Sequence, residues 1–153
     1  MARQYWLMKT EPDECSIDDF AHDPTKAIPW DGVRNYQARN FMREMQHGDQ
    51  VFIYHSSCKD IGIAGMVEVV KTAYADPSQF DPNSDYVDNK SSKSNPRWSA
   101  VDLIFYRKFP RVLSLQAIKG IDAMQENPLI KKGNRLSVIP FTENEWNAIL
   151  AHI

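Results

Sequence analysis

Only two cysteines, Cys15 and Cys58, stand in the 153 residues. With no CxxC pair and no Cys/His array, neither a zinc site nor a disulfide framework is expected, and a reducing compartment is the default. No run approaches the ~18 consecutive apolar residues that a membrane span needs. The opening MARQYWLMKTEPDE has no apolar stretch behind basic residues, so no secretory signal is read and a cytoplasmic location is expected. There is no GxGxxG opening a helix and no GxxxxGK[ST], which removes the usual phosphate cradles, and no HExxH or GxSxG. A dominant charge sign is missing too: 18 Lys and Arg face 20 Asp and Glu, a net −2. That excludes a molecule whose whole surface clings to nucleic acid.

What is present is the composition of a folded domain, 42% hydrophobic and 25% charged, which argues against disorder. A chain of this size hides roughly 68–70% of its unfolded surface without staples, and one domain over 1–153 is expected. The charges are unevenly placed. Residues 1–88 hold 8 basic and 15 acidic side chains, a balance of −7, whereas residues 89–153 hold 10 and 5, a balance of +5. Such a split permits a localised basic face on a nearly neutral molecule.

Along the chain, Tyr5-Trp6-Leu7-Met8 reads as a strand, and Ser16 with Asp19 as the capping box of a helix kept short by Pro24. The chain turns around Pro29-Trp30-Asp31-Gly32. A helix starts near Asn35, with Ala38, Phe41, Met42 and Met45 on one stripe, and His47-Gly48-Asp49 ends it. Val51 to His55 and Ile61 to Tyr74 are strands, the second with a bulge or sharp coil signalled by Gly62 and Gly65. Residues 76–97 are a long loop, of the kind usually tied to function or mobility. Trp98 to Phe109 is a strand ended by Pro110. Short helices follow from Ser114 to Lys119 and from Asp122 to Asn127, then a strand over Arg135–Ile139. Thr142 and Glu145 cap a last helix that buries Trp146, Ile149, Leu150 and Ile153. More strands than crossovers indicates α+β with a curled, largely antiparallel sheet.

Candidate chemistry is sparse. His55-Ser56 resembles a base beside a nucleophile, but strand neighbours point to opposite faces, so the imidazole does not reach the hydroxyl. Lys9-Thr10-Glu11 is a stronger catalytic candidate, since a buried lysine near a carboxylate has a tuned pKa; simple solvation of Lys9 and Glu11 is the alternative. Trp146, on a periodic helix face, reads as core. Trp30 precedes Asp31-Gly32, Trp98 follows Pro96-Arg97, and Tyr54 precedes His55-Ser56-Ser57. Aromatics beside such turns either belong to the core or wall a flat apolar slot with hydroxyls and amides at its rim, the chemistry that holds a nucleobase.

Five segments carry a family resemblance: Tyr5-Trp6-Leu7-Met8-Lys9-Thr10-Glu11-Pro12; Trp30 through Asn40 (WDGVRNYQARN) with Gly48-Asp49 after it; Tyr54-His55-Ser56; Pro96-Arg97-Trp98; and Asn134-Arg135-Leu136-Ser137-Val138. Together they resemble the EVE domain family, small proteins related to thymocyte nuclear protein, almost end to end. The resemblance implies an α+β, PUA-like fold: a small, curled, mostly antiparallel β-barrel flanked by short helices, as in YTH and ASCH domains. It further implies a pocket for a modified base, methylated or hydroxymethylated cytosine, in DNA, RNA or nucleotide form, with no cofactor, metal or membrane partner. Cys15 stands where an aromatic is common, Ala75 where proline is frequent, and Val87 in a stretch often richer in tyrosine, which leaves the long loop's share in the pocket wall open.

A methyl group alters a base's shape rather than its charge, so it is read by extruding and enclosing the base. Stacking contributes roughly 1–3 kcal/mol and a buried methyl about 0.8 kcal/mol, which leaves discrimination to the base edge. Within the implied pocket, Trp30 and Trp98 are the expected stacking faces and Tyr54 a further wall. Asn35 both donates and accepts toward the base edge, and Ser56 and Ser137 offer hydroxyls. Lys9, Arg34 and Arg135 face phosphate or carbonyl oxygen, or else pair with Asp31 or Glu11. Arg97, ending the loop that holds Lys90 and Lys93, tracks backbone phosphates. This makes a non-catalytic binding module. The rival is an ASCH-like hydrolase of modified nucleosides that uses Lys9, Thr10 and Glu11. A protein scaffold would need an exposed apolar patch, of which the sequence gives no sign.

Overall fold

Short β-rich stretches pair into one sheet in the computed structural model, which describes residues 3–153. The strands are β1 (Tyr5–Thr10), β2 (Ile28–Trp30), β3 (Gln50–His55), β4 (Gly62–Ala75), β5 (Ser99–Ser114) and β6 (Val138–Phe141), in the order β2-β5-β4-β3-β1-β6. Every pairing is antiparallel except β1 with β3, which is parallel. The helices are α1 (Ile17–His22), α2 (Tyr36–Glu44), α3 (Leu115–Lys119) and α4 (Glu143–Leu150). The α+β class holds. The expected barrel, however, is an open sheet: β2 and β6 are its edges and do not pair. Helix α2 packs against β4, β5 and β6, so the curl is closed by a helix instead of a strand ladder. Trp30 from one edge and Val138 from the other share an apolar cluster with Phe20 and Met42.

Local chemistry explains the helices. Ser16 and Asp19 form the reciprocal capping box of α1, and Thr142 and Glu145 that of α4. Ala38 and Met42 are the buried stripe of α2, and Ser114 caps α3 through the Ala117 N–H. On the sheet's other face, Trp146 of α4 stacks on Phe52, ring centroids 3.6 Å apart and planes at 16°. Leu7, Phe109 and Ile149 complete that second core, while Leu150 and Ile153 are only half-buried.

Four boundaries differ from the sequence reading. Pro110 lies inside β5, because the register jumps from Ile63↔Leu113 to Gly65↔Lys108 and leaves it in a bulge where no ladder N–H is needed. A Cβ on Gly65 would stand 2.6 Å from the Arg107 carbonyl oxygen, which is why a glycine sits at this bulge. Trp30 ends a strand, β2, and is not within a turn. Strand β6 begins only at Val138, since the Asn134 side chain first takes the Leu136 N–H at 2.8 Å. Both Pro77–Phe80 and Asp122–Met124 are single 3-10 turns. The 76–97 loop is fastened from within by buried Gln79, whose amide donates to the carbonyls of Asp76 and Trp98 at 2.7 and 2.8 Å.

Candidate functional site

The parallel pair β1 and β3 ends beside a cavity of about 700 Å³. Backbone bonds set three segments side by side there: the Lys9 N–H donates to the Ser137 carbonyl and the Ser56 N–H to the Thr10 carbonyl, both at 2.9 Å. Lys9, Ser56, Ser137 and Arg135 therefore line the cavity from the β1 side, and Trp30, Asp31 and Arg34 from the β2 side. Six of the ten expected site residues meet in one place. Among the described residues no group of His, Cys, Asp and Glu forms a metal site, and no helix is long and apolar enough to cross a membrane.

The tryptophans separate by what their indole N–H touches. Trp6 donates to Asp49 at 3.0 Å and Trp98 to Asp88 at 2.7 Å, so each is anchored in the fold. Trp30 lines the cavity, and among the described residues nothing accepts from its N–H. A second aromatic in the lining, which the sequence reading missed, is Tyr86 from the long loop. Its hydroxyl donates to Glu14 at 3.2 Å. The loop's lone tyrosine was the available signal.

Arg34 has a different task from the one expected. All five of its N–H donors are taken: by the Tyr86 carbonyl at 3.0 and 2.6 Å, the Val33 carbonyl at 2.9 Å, Asp76 Oδ2 at 3.0 Å and Ser78 Oγ at 3.1 Å. None is left for a phosphate. It clasps the loop that presents Tyr86, and its carboxylate partner is Asp76 and neither Asp31 nor Glu11. Gly32 supports the same wall. It sits at φ +78°, its N–H donates to Asp76 at 2.8 Å, and a Cβ would meet the Tyr86 ring at 2.8 Å.

Four expected residues lie outside the cavity lining. Asn35 turns its side-chain oxygen to the Ala38 N–H at 2.9 Å as the cap of α2. Tyr54 is buried in the core beyond, with Lys9 Nζ 5.7 Å from its ring centroid. Trp98 is covered by Tyr36, rings 4.9 Å apart, so it is no open stacking face. Arg97 pairs with Asp88 at 3.3 Å and donates to the Tyr36 hydroxyl. Turn adjacency marked Tyr54 and Trp98, an amide that donates and accepts marked Asn35, and a place at the end of the lysine-bearing loop marked Arg97, but core packing, capping and loop anchoring call on the same residue types.

Burial lowers the pKa of Lys9 and raises that of Asp31, the latter also through the charge of Asp76. Burial, with Asp19 and Asp31, pushes the Cys15 thiol up to about 11, so this cavity thiol stays protonated at neutral pH and is a poor nucleophile. The Thr10 hydroxyl donates to the backbone carbonyls of Cys15 and Glu11 at 2.9 and 3.2 Å, and His55 Nε2 accepts from the Ile17 N–H at 3.2 Å, away from Ser56. The arrangement is a binding cavity lined by hydroxyls, carboxylates, two aromatics and one lysine that has no ion-pair partner among the described residues.

Comparison with known proteins gives the family. A sequence profile of the EVE domain matches residues 4–152. Human thymocyte nuclear protein 1 is 40% identical over 163 residues that span 96% of this chain and 72% of that protein. A Pseudomonas syringae protein of solved structure is 51% identical with a TM-score of 0.93, covering 97% of this chain and 98% of that one. Human THYN1 protein, solved in complex with 5-methylcytosine containing DNA, is 40% identical with a TM-score of 0.88, covering 97% and 96%. An ASCH protein from Zymomonas mobilis, 9% identical with a TM-score of 0.55 over 97% and 98% of the two chains, shares the fold alone. The human relative carries the word nuclear in its name, so the expected cytoplasmic location gains no support from it.

Proposed function

The chain belongs to the EVE domain family, and on that premise we propose that it is a DNA-binding module which takes a modified base, 5-methylcytosine foremost, into the cavity at the end of β1. The observation that carries the reading is Trp30, a cavity-lining indole whose N–H has no partner among the described residues, in the same cavity that Tyr86 of the long loop lines. The human THYN1 protein, solved with 5-methylcytosine containing DNA, gives the substrate class.

The chemistry of the wall suits a cytosine. Its amino group needs an acceptor, and Asp31 supplies a carboxylate; its carbonyl and ring nitrogen need donors, and Lys9 and Ser137 supply them. Stacking on Trp30 and Tyr86 contributes roughly 1–3 kcal/mol and is indifferent to sequence. A buried methyl adds about 0.8 kcal/mol.

The test is anisotropy of labelled single-stranded oligonucleotides that differ at one central base: cytosine, 5-methylcytosine, 5-hydroxymethylcytosine, adenine or N6-methyladenine. The 5-methylcytosine strand is expected to bind at least tenfold better than its parent, about 1.4 kcal/mol, and Trp30→Ala to abolish the difference. Equal, salt-sensitive binding across the panel would overturn the reading. The same series in RNA tests whether a 2′-hydroxyl is tolerated.

A further inference from the structure

Beside the cavity, and joined to its wall through Arg34, lies a cluster of charge that the base-binding reading does not use. Arg39 and Arg43 stand one helical turn apart on α2, and Arg97 ends the long loop. The Arg39 guanidinium carbon is 4.7 Å from the Tyr36 ring centroid and 5.9 Å from that of Trp98, and Arg97 lies 5.6 and 5.9 Å from the same two rings. Arg34, which lines the cavity, is 5.4 Å from the Trp98 ring. One indole therefore separates Arg34 in the cavity wall from Arg39 and Arg97.

These guanidinium groups are poorly neutralised. Among the described residues, Asp88 is the one carboxylate within ion-pair distance of Arg39, Arg43 or Arg97, and it pairs with Arg97. Arg39 donates only to the Asn40 side chain and the Arg97 carbonyl, Arg43 only to Ser99 Oγ and the carbonyls of Pro96 and Arg97. Neutral acceptors satisfy N–H groups without cancelling charge. Arg39 keeps two N–H donors free and so does Arg43, in contrast to Arg34, which keeps none. Burial and the neighbouring charges of Arg43 and Arg97 lower the pKa of Arg39, and Tyr36 opposes this only in part. Half-exposed Tyr36 (47%) and exposed Lys90 and Lys93 flank the cluster.

We propose that Arg39 and Arg97, mounted on the Tyr36–Trp98 stack, and Arg43, which shares the Arg97 carbonyl with Arg39, form a second subsite that takes the phosphodiester backbone flanking the base held in the cavity. Uncancelled positive charge with free forked donors is the chemistry of phosphate recognition, and its position next to the cavity rim suits the strand from which the base is drawn. The subsite rests on the proposed function only for the identity of that strand. It gives the molecule the localised basic face that a net charge of −2 conceals.

The test separates backbone from base. Binding of a 5-methylcytosine oligonucleotide and of the mononucleoside 5-methyl-2′-deoxycytidine is compared in wild type, Arg39→Gln/Arg43→Gln and Arg39→Lys/Arg43→Lys. The glutamine pair is expected to weaken oligonucleotide binding at least tenfold near 50 mM salt and to flatten the slope of log K against log salt by about 1.4, or ~0.7 per lost phosphate contact on a single strand. Nucleoside affinity stays unchanged. The lysine pair keeps the slope, which a purely structural role in holding residues 96–99 would not produce. An unchanged slope in the glutamine pair, or an equal loss of nucleoside binding, overturns the proposal. If the wild type binds no nucleoside, the cavity reading fails, while the salt slopes still decide the subsite.

Discussion

Arg34 Nη1 lies 3.0 Å from Asp76 Oδ2, and this pair joins the turn after β2 to the loop that carries Tyr86. The Asp76 carboxylate is fully buried and also accepts from Gly32 N at 2.8 Å and from Ser78 N and Oγ at 2.8 and 2.6 Å. The cavity wall is thus built by an acid whose partners are 44, 42 and 2 residues away.

Replacing Asp76 by Ala leaves three sets of buried donors without an acceptor. The expected loss is about 3–5 kcal/mol in urea unfolding, together with weakened binding as Tyr86 comes free. Burial alone would raise the Asp76 pKa, but the bonds from Ser78, Gly32 and Arg34 outweigh it and hold the group below the usual carboxylate range. The unfolded chain therefore takes up the proton first, so this stabilisation is complete above about pH 4 and is lost as pH falls through the lower folded value. Acid unfolding of wild type and Asp76→Ala converging below pH 4 is the outcome that checks it.

His55 makes the opposite fold joint sensitive at milder pH. Its Nε2 accepts from the Ile17 N–H at the start of α1, which requires the unprotonated ring. Burial lowers its pKa, with Lys108 adding to the effect and Asp18 and Asp19 opposing it. Stability from this group is present above about pH 6.5 and declines as pH drops toward the lower folded value. Melting temperature should fall between pH 7.5 and 5.5 in wild type, and less so in His55→Gln; identical slopes would refute the assignment.

Two glycines give a matched pair. Gly32 and Gly133 have φ of +78° and +79°, but a Cβ at Gly32 strikes the Tyr86 ring whereas one at Gly133 meets nothing within 4 Å. Alanine at either position should cost about 1–2 kcal/mol of backbone strain in chemical denaturation. Only Gly32→Ala should also weaken oligonucleotide binding, by displacing Tyr86.

With its thiol at about 11, Cys15 is thiolate at roughly one part in a thousand at pH 8. Alkylation by iodoacetamide, followed by peptide mass spectrometry, should be slow, and Cys15→Ser should bind as wild type does. Rapid labelling at pH 8 would contradict the buried, acid-flanked setting.

Much of the fold is local and was therefore legible in the sequence. The capping boxes Ser16/Asp19 and Thr142/Glu145, the Ala38–Met42 stripe and the β-branched runs state their structure through spacing alone, because their partners are three or four residues away. The sequence also marked Trp30, Lys9, Ser56, Ser137 and Arg135 as cavity candidates. It could not close the sheet: whether β2 meets β6 depends on α2 filling the gap, a matter of packing volume. Nor could it tell Trp30 from Trp98, since that difference lies in Asp88 and Tyr36 covering one indole and nothing accepting from the other. Arg34 looked like a free cation until Asp76, Ser78 and Tyr86, far along the chain, and the neighbouring Val33 carbonyl took every donor it has. Spacing along a chain fixes what three or four residues do together; long-range hydrogen bonds decide which side chains remain free for a ligand.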